Sequence, residues 1–66
     1  MGNKLFRLEV NFGNGGMGLN LEEIDFLETV NEYATEEQYN KICYWVEKAK
    51  VNDYLDMGDI NIWRLE

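Results

Sequence analysis

The chain has 66 residues, with 13 Asp and Glu against 6 Lys and Arg, and a net charge of −7. This length suits one small unit, so we expect residues 1–66 to form a single acidic domain whose core is thin. One cysteine and no histidine exclude an internal disulfide, the usual zinc sites and the common nucleophilic triads.

The first predicted element is a β-hairpin. Apolar and polar residues alternate over residues 5–12, with the apolar ones on one face: Phe6, Leu8, Val10 and Phe12. Asn14-Gly15 follows, and because both residues tolerate positive φ, this pair predicts a tight turn in which Gly15 resists β-branched substitution. Alternation resumes over residues 17–21, which predicts a short second strand that ends near Asn20.

The spacing of apolar residues then becomes helical. One side of the helical wheel carries Ile24, Leu27, Val30 and Ala34, with Phe26 and Tyr33 at its margin. Asn20 is a candidate N-cap for this helix, with Glu23 at its third position.

A second helix is predicted from Thr35, because Thr35 and Gln38 have the spacing of a capping box. It should run to about Asn52 and bury residues three and four apart: Tyr39, Ile42, Cys43, Val46 and Ala49. Residues 53–59 are an acidic connection, and residues 60–65 form a closing strand. The expected fold is α+β in the order ββααβ, a three-stranded antiparallel sheet with two helices on one face.

The most informative feature is a run of acids without bases. Between Arg7 and Lys41 the chain has no Lys, Arg or His but carries eight carboxylates: Glu9, Glu22, Glu23, Asp25, Glu28, Glu32, Glu36 and Glu37. Four of them are expected to lie together on the outer face of the first helix, namely Glu22, Asp25, Glu28 and Glu32, with Glu36 and Glu37 just beyond it. An ordinary solvated face is the alternative, but such faces usually mix Lys with Glu at favourable spacings.

The density of these acids resembles that of a nucleic-acid backbone. Five of them, from Glu22 to Glu32, would occupy about 15 Å of helix at ~1.5 Å per residue. One strand of DNA carries a phosphate about every 3.4 Å. The stripe could therefore enter a basic groove that normally holds DNA or RNA, whereas direct binding of nucleic acid by this chain is disfavoured.

Tyr44 is predicted to project from the outer face of the second helix. Tyrosine is frequent among the residues that dominate protein interfaces, so this side chain is a candidate contact with a partner or with a second copy. A homodimer would also compensate for the thin core.

Other motifs in the chain have simpler explanations than chemistry. Residues 13–18 match G-x-G-x-x-G, but the turn explains the glycines, and a dinucleotide site needs a parallel βαβ unit. Asp53, Asp56 and Asp59 lack the spacing of a calcium loop, and Cys43 has no base near it in sequence. We therefore expect no cofactor, no metal and no catalytic residues.

No apolar stretch is long enough for a signal peptide or a membrane span, so a cytoplasmic protein without a membrane partner is expected. The leading hypothesis is a non-enzymatic protein-binding module, a small acidic inhibitor of a nucleic-acid-binding or host-defence protein. Phages encode DNA-mimicking inhibitors of this kind. The alternative is a dimeric structural or regulatory subunit whose acidity serves only solubility.

Overall fold

The computed structural model describes residues 4–66. The elements in chain order are β1 (Leu5–Asn11), β2 (Gly16–Glu22), α1 (Glu23–Tyr33), α2 (Glu36–Lys48), β3 (Tyr54–Asp56) and β4 (Ile60–Arg64). All strand pairs are antiparallel, and the sheet order is β2-β1-β4-β3. The predicted α+β fold with two helices and an antiparallel sheet is confirmed. The predicted three strands in the order ββααβ are wrong, because a fourth strand makes the order ββααββ.

The additional strand, β3, lies inside the segment that was expected to be an acidic connection. A turn precedes it, in which the Asp53 amide donates to the Lys50 carbonyl at 2.9 Å and Asn52 has a φ of 77°. This turn ends α2 at Lys48, four residues before the predicted end. The three residues of β3 are too few to show an alternating pattern, and they are held by pairing with β4.

The β1–β2 hairpin is confirmed, but its turn differs from the predicted one. The Phe12 amide donates to the Gly15 carbonyl at 2.7 Å, so Gly13 and Asn14 are the central residues. Gly13 has a φ of 86°, and Asn14 and Gly15 are not in the positive-φ region, whereas the predicted Asn-Gly turn needs positive φ at both residues. A Cβ on Gly15 would meet no atom within 4 Å. The position that requires glycine is therefore Gly13 and not Gly15.

One face of the sheet forms the core together with both helices. The buried side chains on this face are Phe6, Leu8 and Val10 of β1 and Ile60 and Ile62 of β4. Phe26 and Val30 of α1 and Ile42 and Val46 of α2 join the same cluster. Both helices therefore cover one face of the sheet. The rings of Phe6 and Phe26 stack at the centre, with centroids 4.8 Å apart.

The start and the orientation of α1 differ from the prediction. Asn20 is not the N-cap but lies within β2, opposite Arg7, because β2 continues to Glu22. The cap position is Glu22, whose side chain makes no capping hydrogen bond. The buried face is centred on Phe26 and Val30, whereas Ile24 is 74% exposed. Packing on the sheet has thus rotated the helix relative to the wheel drawn from apolar spacing.

The start of α2 agrees with the prediction. The Thr35 hydroxyl accepts from the Gln38 amide at 3.2 Å, and the Gln38 side chain accepts from the Thr35 amide at 2.9 Å. This is a complete capping box. Of the predicted core positions, Ile42, Val46 and Ala49 are buried, and Tyr39 and Cys43 are half-buried.

Candidate protein-interaction surface

The outer face of α1 carries a purely acidic stripe, which consists of Asp25, Glu28 and Glu32. These residues are three and seven positions apart from Asp25, so helical geometry places them on one side, opposite Phe26 and Val30. All three are exposed. Within residues 4–66 the ion pairs are Lys4–Glu23, Arg7–Glu9 and Lys41–Glu37, and none of them involves the acidic stripe. The three charges therefore face solvent, and no cation of residues 4–66 pairs with them.

The two acids that precede the stripe behave differently from each other. Glu22 ends β2 and is exposed, next to the stripe in the chain. Glu23 is half-buried, and its carboxylate lies 3.8 Å from the Lys4 ammonium. Glu23 is therefore paired and does not add a free charge to the stripe.

Without Glu23, the free charges on α1 are less dense than the phosphates of a nucleic-acid backbone. Along the axis, Asp25 and Glu28 are about 4.5 Å apart and Glu28 and Glu32 about 6 Å apart, at ~1.5 Å per residue. These intervals are wider than the ~3.4 Å between phosphates along one strand of DNA. The charges of the acidic stripe are therefore about a third or more further apart than the phosphates of one DNA strand, so the spacing matches less well than expected. The sign and the linear arrangement of the charges still correspond to those of the phosphates.

The predicted contact residues of α2 lie on a surface of mixed charge. Glu36, Glu37 and Tyr44 are exposed, and Tyr44 is 64% accessible. The Glu37 carboxylate is 3.6 Å from the Lys41 ammonium, and the Lys48 ammonium lies 5.1 Å from the centre of the Tyr44 ring. The acidic stripe therefore does not continue along α2, and the structure does not join Tyr44 to the stripe in a single acidic surface.

The sheet face opposite the helices carries a polar and aromatic row that the sequence analysis did not identify. Strand register aligns Asn20, Arg7, Trp63 and Tyr54 across all four strands. The Arg7 guanidinium donates to Glu9 at 2.9 Å and to Asn20 at 3.0 Å. It passes over Gly18, where an added Cβ would meet Arg7 Nη2 at 2.6 Å. Only strand pairing brings these residues together, so no local pattern could reveal the row.

The aromatic end of this row is satisfied internally. The Tyr54 and Trp63 rings stack with centroids 4.8 Å apart, and the Tyr54 hydroxyl donates to Asn61 at 2.7 Å. Desolvation, together with the carboxylates of Asp56 and Glu9, raises the pKa of Tyr54 above its ordinary value. The phenol therefore remains a neutral hydrogen-bond donor at physiological pH.

The residues considered for chemistry do not converge on one site. The glycine-rich segment forms a hairpin turn and part of an edge strand, not the N-terminus of a helix. A side-chain hydrogen bond with Cys43 raises the pKa of Tyr39. Over residues 4–66, no group of three His, Cys, Asp or Glu side chains is arranged to hold a metal ion.

Comparison of the chain with protein-family models, with curated proteins and with solved structures finds no match. Neither helix of the described chain has the length and apolar character that a membrane crossing requires.

Proposed function

We propose that this chain is a non-enzymatic protein-binding module that enters a basic, nucleic-acid-binding groove of a partner protein and inhibits that partner. A phage-encoded inhibitor of a host defence protein has this character. The observation that carries the proposal is the acidic stripe of Asp25, Glu28 and Glu32, which is exposed and has no ion-pair partner among residues 4–66.

The composition of α1 supports a selected role for these charges. Glu28 and Glu32 are four residues apart, where like charges destabilise a helix, and the last turn has no basic residue to offset its dipole. A helix selected only for stability would carry Lys or Arg at some of these positions. A surface of one sign, in contrast, accelerates encounter with a partner of the opposite sign and orients it before contact.

The partner that fits is a protein with a lysine- or arginine-lined groove, rather than nucleic acid itself. The net charge of −7 repels phosphate at long range. Because the stripe is less dense than a DNA strand, we expect it to compete for a few phosphate positions in the groove rather than to reproduce a whole duplex.

The test begins with capture of the partner from a lysate of the cell in which the protein acts, followed by affinity measurements with the purified pair. The triple variant Asp25→Asn, Glu28→Gln and Glu32→Gln should bind roughly tenfold more weakly or worse, with a shallower dependence on salt between about 50 and 200 mM. Added DNA or RNA should displace the wild-type protein from the partner.

A matched control variant has the same total charge as the stripe variant but leaves the acidic stripe unchanged. The variant Glu47→Gln, Asp59→Asn and Glu66→Gln removes the same number of exposed acids elsewhere on the molecule. It should retain wild-type affinity to within about twofold. Equal weakening by both variants would show that only net charge matters, and full affinity in the stripe variant would refute the proposal.

Tyr44 favours a second candidate, a dimeric structural or regulatory subunit. It is among the most exposed large apolar side chains, on a face where Lys41 and Lys48 reduce the acidic repulsion between copies. Sedimentation at micromolar concentration should then detect a dimer that Tyr44→Glu dissociates. A monomer at every concentration would remove this candidate.

A further inference from the structure

One edge of the sheet, strand β2, presents a regular row of backbone groups to solvent. The bond from Phe12 to Gly15 identifies a hydrogen-bonded pair, and pairing alternates along an antiparallel ladder. Met17, Leu19 and Leu21 therefore bond to β1, and the backbone groups of the intervening residues point outward: Gly16, Gly18, Asn20 and Glu22. Glu22 contributes only its amide, because its carbonyl caps α1 and accepts the first hydrogen bond of the helix. The Asn11 amide bonds to Asp59 on the β4 side and not to β2, as this alternation requires. We call these four outward-facing residues the β2 edge.

The β2 edge lacks the features that usually prevent strand addition. Natural edges are protected by lysine, proline, bulges or short length. β2 is seven residues long, pairs with β1 without a bulge, and contains no Lys, Arg or Pro. All four residues of the β2 edge are exposed. The opposite edge, β3, has only three residues and includes the charged Asp56.

The charges around the β2 edge select one kind of occupant. α1, which carries the acidic stripe on its outer face, packs on β1 and β2, and Glu22 belongs to the edge itself. Two cations near the β2 edge already have partners: Arg7 bonds to Glu9 and Asn20, and Lys4 pairs with Glu23. A second copy of this chain would bring the same acids together, whereas a basic segment would meet complementary charge.

We propose that the β2 edge accepts an extended, lysine- or arginine-containing segment of the partner protein as a fifth strand of the sheet. Backbone bonds along the β2 edge would supply register and affinity, and the acidic stripe would select basic side chains. The inference rests on the proposed function, since it names how the basic partner is recognised.

The first test uses a synthetic peptide of alternating Lys and Val, seven residues long to match β2, with a Glu and Val peptide as control. Hydrogen exchange followed by NMR reads each amide separately. In the free protein, the amides of the β2 edge should exchange rapidly and those of Met17, Leu19 and Leu21 slowly. The basic peptide should slow exchange at the β2 edge, and the acidic peptide should not. Absence of binding, or protection elsewhere on the chain, overturns the proposal.

A proline substitution in the protein tests the same backbone bonds. Asn20→Pro removes an outward amide while leaving the bonds between β1 and β2 in place, because proline is tolerated where an edge amide faces solvent. Asn20→Ala is the matched control, since it removes the same side chain and keeps the amide. Peptide binding should fall about tenfold or more for Asn20→Pro and stay within about twofold for Asn20→Ala. Slow exchange at Leu19 and Leu21 verifies that each variant is folded.

The outcomes separate this inference from the proposed function. If the captured partner requires the acidic stripe but binds Asn20→Pro as tightly as Asn20→Ala, the inference fails and the proposed function stands. If the stripe variant binds the partner normally, the proposed function fails. Concentration-dependent protection of the β2 edge without any peptide would identify a second copy as the occupant and overturn the inference.

Discussion

The two helices cover the same face of the sheet, yet they are stabilised in different ways. α2 has a complete capping box at Thr35, a Glu37–Lys41 pair and Lys48 in its last turn. α1 has no side-chain cap, no basic residue in its last turn and an outer face of acids. Local interactions therefore support α2, whereas α1 depends on the packing of Phe26 and Val30 against the sheet.

This difference indicates what each helix contributes. Caps and opposite-charge pairs stabilise a helix by tenths of a kcal/mol to about 1 kcal/mol each, and the exposed side of α1 has neither. Its buried side, in contrast, includes the fully buried Phe26 at the centre of the core. α1 is thus held by tertiary contacts and displays charge, whereas α2 is a conventional structural helix.

The largest effect should come from removing the contact that holds α1. Phe26→Ala deletes a fully buried ring that stacks on Phe6, and should lower the free energy of unfolding by about 3–5 kcal/mol. Ile24→Ala, on the exposed side of the same helix, should cost less than about 0.5 kcal/mol. Urea denaturation followed by circular dichroism measures both, with Phe26→Leu as a milder variant. A larger loss from Ile24→Ala would mean that the apolar wheel drawn from sequence is correct.

An intermediate effect is expected at the helix caps. Thr35→Ala removes one half of the capping box and should lower stability by about 1 kcal/mol. Glu22→Ala, at the equivalent position of α1, should change stability by only a few tenths of a kcal/mol, because its side chain makes no capping bond. The same denaturation experiment applies. Equal losses from the two substitutions would show that α1 has a functioning cap.

The smallest effects should have opposite signs on the two helices. Glu32→Gln relieves the repulsion with Glu28 and should raise the stability of the free protein by a few tenths of a kcal/mol. Lys41→Gln removes the pair with Glu37 and should lower stability by a similar amount. Both changes should disappear in about 1 M salt, where the screening length is ~3 Å. A loss of stability from Glu32→Gln would assign the acidic stripe a structural role.

The parts of the fold that were predicted correctly depend on neighbours in sequence. Alternation identified β1, a short run that is apolar in part on both faces identified β4, and the Thr35–Gln38 spacing identified the start of α2. The acidic stripe was also visible, because its three acids follow helical spacing within one helix. Each of these features is formed by residues a few positions apart, so the local sequence contains all the information that they need.

The errors have one physical cause, which is that contacts between distant residues outweighed local preference. Asn20 has the chemistry of a cap, but pairing with Arg7 extends β2 beyond it. Ile24 suits a buried position, but the stacking of Phe26 on Phe6 sets the rotation of α1. For the candidate site, the Lys4–Glu23 pair and the β2 edge likewise arise only when separate segments meet.

The sequence by itself determined an acidic α+β domain, a β-hairpin, the start of α2 and a helix face without bases. These properties come from composition, from periods of two and 3.6 residues, and from capping chemistry. The tertiary structure alone decided that β3 pairs with β4, which face of α1 is buried, which acids remain free and that β2 is an open edge. The reason is that strand order and side-chain burial depend on packing across the sheet, where a stacked aromatic pair or a hydrogen-bonded ladder contributes more free energy than a helix propensity or a single cap.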